Sequence, residues 1–548
     1  MTDVRSKLPD HADQHEVDVA VVGGGPGGLA TAAAVLSAFG DTFKVKVYES
    51  LTEYTLQGSA VGLQPNAQYA LEAIHPGLLA RFKECGLPVK KPVTRYDLHG
   101  NFVDTMEDRQ KQTQLLHAKY GKYPFILGWH EIRQLLFDYL PAGIVEFDKQ
   151  MTKYDEVEDG VTIHFDRGHP SIRAKVLIGA DGYFSRIRKQ CLNDGPPLFA
   201  GCVMWRARIA APEGRPEEFS TWREPNTPVM SGPFAMLIPM GTLEASKHKP
   251  WTWILGAPLS ALKEAGVQFD PEARGLKAIQ GDADSGSALE NALKIFRKMP
   301  SALMDIVKGT DPTTVTQHGL YMRPLTDPSL HPLLAPNRGP LDKPPEQPVA
   351  PGTPPHEETA GPAVPAPTPP TLEGSSQMSK DISSSPMGAA LGALSGSKAE
   401  GEPAASEGKF PASGGHPVGT GLNPQGGNLC TQPVGANSDP SQLWGRGRVT
   451  LLGDAAHATI PNGQGLALAL EDAAVLGWHL KRQGLTQQAL RSYERERPER
   501  VRTIHVKGSD SASYEERERY LYKPTFKPLW CDQDDQGDHD TSIMNFEP

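Results

Sequence analysis

Residues 17–36 read VDVAVVGGGPGGLATAAAVL. Val19, Val21 and Val22 form a short apolar run suited to a strand buried on both faces, as in a parallel sheet. Gly23, Gly25 and Gly28 then satisfy the pattern GxGxxG, with Pro26 and Gly27 inside it. An Ala-rich helix is predicted to follow and to stop at Gly40. The three glycines have separate tasks in such a strand–turn–helix: a tight turn, close backbone approach to a pyrophosphate, and close packing of helix on strand. The helix start supplies unpaired N–H groups and a positive dipole end for phosphates. Further along, residues 44–48 alternate as a second strand and lead into Glu49. That carboxylate lies about 20 residues past the last glycine, where an acid serves an adenosine ribose without a 2′-phosphate. The reading is a dinucleotide-binding unit.

Two later stretches extend it. In KVLIGADGYFSRIRK, residues 175–189, Val176 to Ile178 make another short buried strand that turns at Gly179-Ala180-Asp181-Gly182. Taken alone this is equally an ordinary strand-to-helix turn, since Asp-Gly is a common turn pair. In GRVTLLGDAAHATIPNGQGLALALEDAAVLGWHL, residues 447–480, a strand ends at Gly453-Asp454, and Pro461, Asn462, Gly463, Gln464 and Gly465 lead into a long apolar helix. The start of that helix can aim backbone N–H groups at developing negative charge. His457 reads as a packed or capping histidine rather than a base.

These three motifs, in this order, resemble the single-component FAD-dependent monooxygenases of the para-hydroxybenzoate hydroxylase-like family. Residues 58–74 (GSAVGLQPNAQYALEAI), CVMWRARIA at 202–210, LYMRPL at 320–325 and ALRSYERERPERV at 489–501 resemble its salicylate hydroxylase, urate hydroxylase and zeaxanthin epoxidase branch. The resemblance implies an α/β fold: a Rossmann-like FAD-binding domain of the GR2/PHBH type with an inserted mixed β-sheet substrate domain. It implies noncovalent FAD, with NADH or NADPH as a transient co-substrate, and hydroxylation or epoxidation of a small aromatic or olefinic substrate through a C4a-hydroperoxyflavin. Carried over residue by residue, it places FAD contacts on Gly23, Gly25, Gly28, Glu49, Asp181, Gly182, Gly453 and Asp454, the last toward the ribityl and pyrophosphate groups. Pro461 would lie at the flavin edge, and Gly463, Gln464 and Gly465 would lead the flavin-facing helix. Where the family places an FAD-contacting arginine, this chain has Trp129. Arg133, one turn later on the same helical face, is the candidate replacement; the other reading makes it a solvent-facing helix arginine. Within the same fold, a carotenoid-modifying or reductase-type flavoprotein is the alternative function. A noncatalytic interaction protein is another.

Composition sets limits around this reading. The 548 residues carry 55 Lys and Arg against 65 Asp and Glu, a net charge of −10. That balance argues against nucleic acid or an anionic membrane surface as partner, and no window of about 20 apolar residues suggests a membrane span. The five cysteines are scattered without a Cys-x-x-Cys, which suits a reducing compartment and the cytoplasm and offers no metal site. Residues 335–442 hold 20 of the 50 prolines, and one aromatic residue, Phe410, stands between positions 341 and 440. Such a segment cannot bury enough apolar area to offset the entropy of ordering it, so it reads as a disordered insertion, with a docking role for an unknown partner left open.

The expected organisation is a disordered N-terminus (1–15), a discontinuous FAD-binding domain (16–196 and 443–506), a substrate sheet (197–334), the insertion (335–442), and an appended C-terminal segment with an acidic tail (507–548). In the substrate sheet, Trp205, Arg206, Trp253, Phe234, Met236, His318 and Tyr321 are candidate pocket residues. Trp251 and Trp253 share one strand face, and the preferred reading of that pair is a core stripe. The sequence names no catalytic base.

Overall fold

Val17–Val22 is the middle of an eight-stranded sheet and runs parallel to both neighbours, Val45–Tyr48 and Ile172–Gly179. The computed structural model describes residues 17–56, 58–212, 218–227, 230–243, 250–271, 287–323, 444–459, 462–507, 513–524 and 526–530. The N-terminal stretch, the proline-rich insertion, Pro461 and the acidic end therefore lie outside the described residues.

Burial on both faces explains the unbroken apolar strands: Val19, Ala20 and Val21 are fully enclosed, as are Val176, Leu177 and Ile178. The helix Pro26–Phe39 packs over them, and Gly40 ends it in a left-handed conformation, φ +58°, with its N–H bonded to the Leu36 carbonyl. Val449–Leu451 adds in parallel beside Ile172–Gly179, so the chain returns to its first sheet after the insertion. Helix Gly465–Gln483 then lies against Pro26–Phe39 and against Pro65–Ile74.

A second sheet has seven strands in the order Thr316–Met322, Leu198–Ile209, Trp251–Pro258, Phe234–Pro239, Ser220–Arg223, Thr94–Tyr96, Phe102–Thr105. Its last two strands come from residues 94–105, outside the range 197–334 expected for it. They join because Thr94–Tyr96 pairs in parallel with Ser220–Arg223, a long-range pairing that local patterning cannot reveal. The period of two divides this sheet cleanly. One face presents Trp205, Ala207, Trp222, Ala235, Leu237, Trp251, Trp253 and Leu255 to the helices Leu259–Glu264, Ala288–Ile295 and Ser301–Lys308. The other presents Cys202, Met204, Phe234, Met236, Ile238, Ile254 and Leu320, clustered with Ile126 of the strand Phe125–Gly128. This second face is the one turned to the glycine-turn half of the molecule. It is tied there by Ser59 Oγ to Thr252 Oγ1 at 3.2 Å and by Arg208 to Glu131 at 2.6 Å.

The segment after residue 507 is docked as far as Trp530. Tyr522 and Leu529 are buried, the Leu529 N–H donates to the Ala73 carbonyl, and the Trp530 indole donates to the Glu72 carbonyl.

Candidate functional site

The three motifs converge on one cleft. Gly23 has φ +108°, and a Cβ there would collide with the Ala180 carbonyl; a Cβ at Gly28 would collide with the Gly23 carbonyl. Gly27 would meet Leu452 at 3.0 Å and Ala469 at 3.3 Å. These positions are glycine because backbone must approach backbone or a neighbouring helix. Gly25, Gly182, Gly463 and Gly465 differ: a Cβ built on any of them meets nothing within 4 Å. Pro26–Phe39 and Gly465–Gln483 both begin without a side-chain cap. Their first-turn N–H groups thus stand beside open space, the arrangement that receives phosphate or another anion.

The expected carboxylates are built in differently. Glu49 Oε2 accepts the Gly24 N–H at 2.8 Å and its Oε1 accepts the Leu51 N–H at 2.9 Å, so this acid braces the glycine turn. Asp181 accepts from Ser185 Oγ at 2.6 Å and from the N–H groups of Arg186 and Ile187 at 2.8 and 3.3 Å, capping the helix Arg186–Cys191. Asp454 begins the short helix Asp454–His457 and reaches solvent. The protein around it nonetheless desolvates its carboxyl and pushes it up.

Arg133 is not solvent-facing, which corrects one of the two readings. It lies on the buried side of Trp129–Tyr139, with its guanidinium 4.0 Å from the Tyr54 ring centroid and 4.6 Å from that of Trp129. It donates to the Thr55 carbonyl at 2.8 Å, and Tyr54 donates in turn to the Gly24 carbonyl at 2.7 Å. Burial lowers its pKa from the ordinary arginine value. The two rings supply the cation–π support an enclosed guanidinium needs.

Supporting residues escaped the sequence reading. Arg188 bonds to the carbonyls of Ala455 and Ala456 at 3.0 and 2.6 Å and to Asp194. Arg323 bonds to the Tyr183 and Gly195 carbonyls, and its N–H donates to the Ala458 carbonyl. Together they pin the second and third motifs to each other. Beneath the Gly453 turn lies an ionic network whose acids are wholly buried. Asp472 Oδ2 accepts the Gly453 N–H at 2.8 Å and meets His457 Nε2 at 2.6 Å, while its Oδ1 takes Arg497 Nε at 2.7 Å. Glu471 is held by Arg497, Arg500 and Asn66, and Asn66 also reaches Gln464 at 3.1 Å. Burial alone would raise Asp472, but His457 and Arg497 outweigh it and hold the carboxyl at about 2. A usable signal was present: adjacent acids inside an apolar helix demand buried cations, and ERERPER supplies arginines three apart. His457 is buried against Trp444, as a packed histidine.

Of the pocket candidates, Trp205 and Trp253 point to the helix side of the seven-stranded sheet, with their indole N–H groups bonded to Gln317 and Thr310. Tyr321 shares that parity and stacks on Tyr183. The side-chain period explains this: consecutive residues of one strand point to opposite faces, so Trp205 and Arg206 cannot line one pocket. Arg206, Met236, Phe234 and His318 lie on the opposite face with Met204, Ile254 and Leu320.

Residues 16–247 and 430–506 match the family model described as FAD binding domain. The chain belongs to this FAD-binding family. Among curated proteins it is similar to the 3-amino-4-hydroxybenzoate 2-monooxygenase PtnB3 of Streptomyces platensis, 29% identical over 238 residues that make up 41% of this chain and 55% of that protein. It is also similar to the 6-hydroxynicotinate 3-monooxygenase of Bordetella bronchiseptica, 29% identical over 202 residues, 35% of this chain and 48% of that one. The matches thus span about half the length of these relatives. In fold it is similar to a point variant of Klebsiella pneumoniae HpxO crystallised with FAD, at TM-score 0.54 and 19% identity over 92% of this chain and 90% of that one. FAD fits the residues present. Two uncapped helix starts and the open glycine positions suit its pyrophosphate and flavin, and Asp454 is a solvent-reachable acceptor.

Proposed function

We propose that this chain is an FAD-dependent monooxygenase that uses NAD(P)H and O2 to hydroxylate, or epoxidise, a small aromatic substrate. One observation carries the reading: two uncapped helix starts stand open at Gly25 and Gly465, and the apolar inner face of the seven-stranded sheet includes Arg206 Nε and His318 Nδ1 without partners among the described residues. The relatives named above are monooxygenases acting, by their names, on aromatic acids, which supports the same class here.

When bound, FAD supplies the redox chemistry between nicotinamide and oxygen. The chain's own residues do the rest. The start of Pro26–Phe39 would hold the pyrophosphate, and Asp454 would accept from the ribityl chain. The N–H groups at Gly465 would favour negative charge on the bound ring. Met204, Met236, Ile254 and Leu320 keep water from the reacting edge. A single glycine fingerprint is taken by FAD, so the nicotinamide visits without a domain of its own. The scattered cysteines, of which Cys85, Cys191 and Cys202 are free, agree with a cytoplasmic place.

The test is a screen of NADH and NADPH oxidation over phenolic acids, pyridine carboxylates, purines and carotenoids, with 18O2 and mass analysis of the product. The reading expects substrate-stimulated oxidation and one labelled oxygen in the product. Full-rate substrate turnover without oxygen, through another electron acceptor, would refute it.

A further inference from the structure

Arg206 and His318 are diagonal neighbours on the inner face of the seven-stranded sheet, since Met204 pairs with His318 and Arg206 with Thr316. They stand in a wall otherwise made by Cys202, Met204, Ile254 and Leu320. Both residues are half-buried, and the enclosed atoms Arg206 Nε and His318 Nδ1 have no hydrogen-bond partner among the described residues. The electrostatic neighbour of the guanidinium is the Tyr183 phenol, and no carboxylate among the described residues faces it. This exception is local: Arg208, two residues on and on the same face, is paired with Glu131 at 2.6 Å. Arg188 and Arg323, at the sheet's junction with the FAD half, bond to Asp194 and to backbone carbonyls.

A desolvated guanidinium without an acceptor is unfavourable, and its planar fork matches a carboxylate. The imidazole is pushed down to about 3, by burial and by Arg206, so it stays neutral and adds no second charge. A neutral imidazole offers one acceptor and one donor nitrogen. Methionine, isoleucine and leucine side chains around the pair suit a flat ring.

We propose that Arg206 binds the carboxylate of an aromatic acid substrate and that neutral His318 holds a second polar substituent of the same ring. The proposal rests on the monooxygenase reading for the chemistry that follows, and on the geometry alone for the binding.

The test needs no turnover. FAD-loaded protein is titrated with three acids, benzoate, 4-hydroxybenzoate and nicotinate, and with their uncharged amides, using calorimetry and the visible flavin spectrum. At least one acid is expected to bind about tenfold or more tighter than its amide, as a charge-assisted pair requires. Arg206→Gln should bring that ratio close to one by weakening the acid alone. Arg206→Lys should restore part of it. FAD content and the melting temperature of ligand-free Arg206→Gln should equal or exceed the parent's, because the change removes an unpaired buried charge. Three results would each overturn the proposal: no acid binding, no acid preference in the parent protein, or an unchanged preference in Arg206→Gln. Acid binding through Arg206 without acid-stimulated NAD(P)H oxidation would uphold the proposal while refuting the monooxygenase reading.

Discussion

Glu471 and Asp472 are wholly buried, yet each of their four carboxylate oxygens meets a donor, from Arg497, Arg500, Asn66, His457 or the Gly453 N–H. Arg206 and His318, half-buried on the other sheet's inner face, each have an enclosed nitrogen without a partner among the described residues. The two regions teach how to tell structural charge from ligand-binding charge. In the first, each buried ion answers another, and the network holds the backbone of the Gly453 turn and, through Asn66, the Gln464 side chain. In the second, the answering group is missing from the described protein. A buried pair stabilises only when complete; a buried single charge persists where something else completes it.

Breaking the complete network should give the largest effect. Arg497→Met leaves both acids undercompensated and should lower stability by about 3–5 kcal/mol, measured by denaturant unfolding. A loss of under about 1 kcal/mol would show the network is not structural.

Acid sharpens the same side of the comparison. Asp472 is held at about 2 in the folded chain against an ordinary value of 3.8. Its contribution is therefore fully present above that ordinary value and is lost as pH falls through about 2. Asp472→Asn should flatten this part of the stability–pH curve, measured by thermal melts in that range.

A smaller and more local loss is expected at the cleft. Asp454→Ala should weaken FAD binding by about 1–3 kcal/mol and leave flavin-free unfolding unchanged, because Asp454 faces the cleft rather than the network. Calorimetric titration with FAD checks it. The smallest effect is expected for residues 340–440. Replacing them with a short Gly/Ser linker should leave FAD content at the parent level, since loop closure depends only weakly on length.

The cofactor half was legible from the sequence because its signals are local. Val19 to Val22, Gly23, Gly25 and Gly28 carry strand and turn in nearly consecutive residues, and the structure sets Gly23 and Gly28 against backbone carbonyls while leaving Gly25 open. The substrate side was less legible. Trp205 and Arg206 are neighbours in sequence but point to opposite faces, and only the register of the sheet tells which face meets the cleft. The strands at 94–105 and the contact of Asn66 with Glu471 were hidden for the same reason: partners far apart in the chain leave no periodic trace.

The most direct test of the cradle is Gly25→Val. Gly25 has φ −73° and ψ 174°, which any residue adopts, and a Cβ there touches no protein atom within 4 Å. A side chain at that position should therefore be harmless to the fold and should obstruct only a ligand. FAD stoichiometry by visible spectrum, measured beside the melting temperature of the flavin-free protein, gives both answers. An unchanged melting temperature with FAD uptake abolished is expected. FAD bound at the parent's stoichiometry and affinity would contradict it.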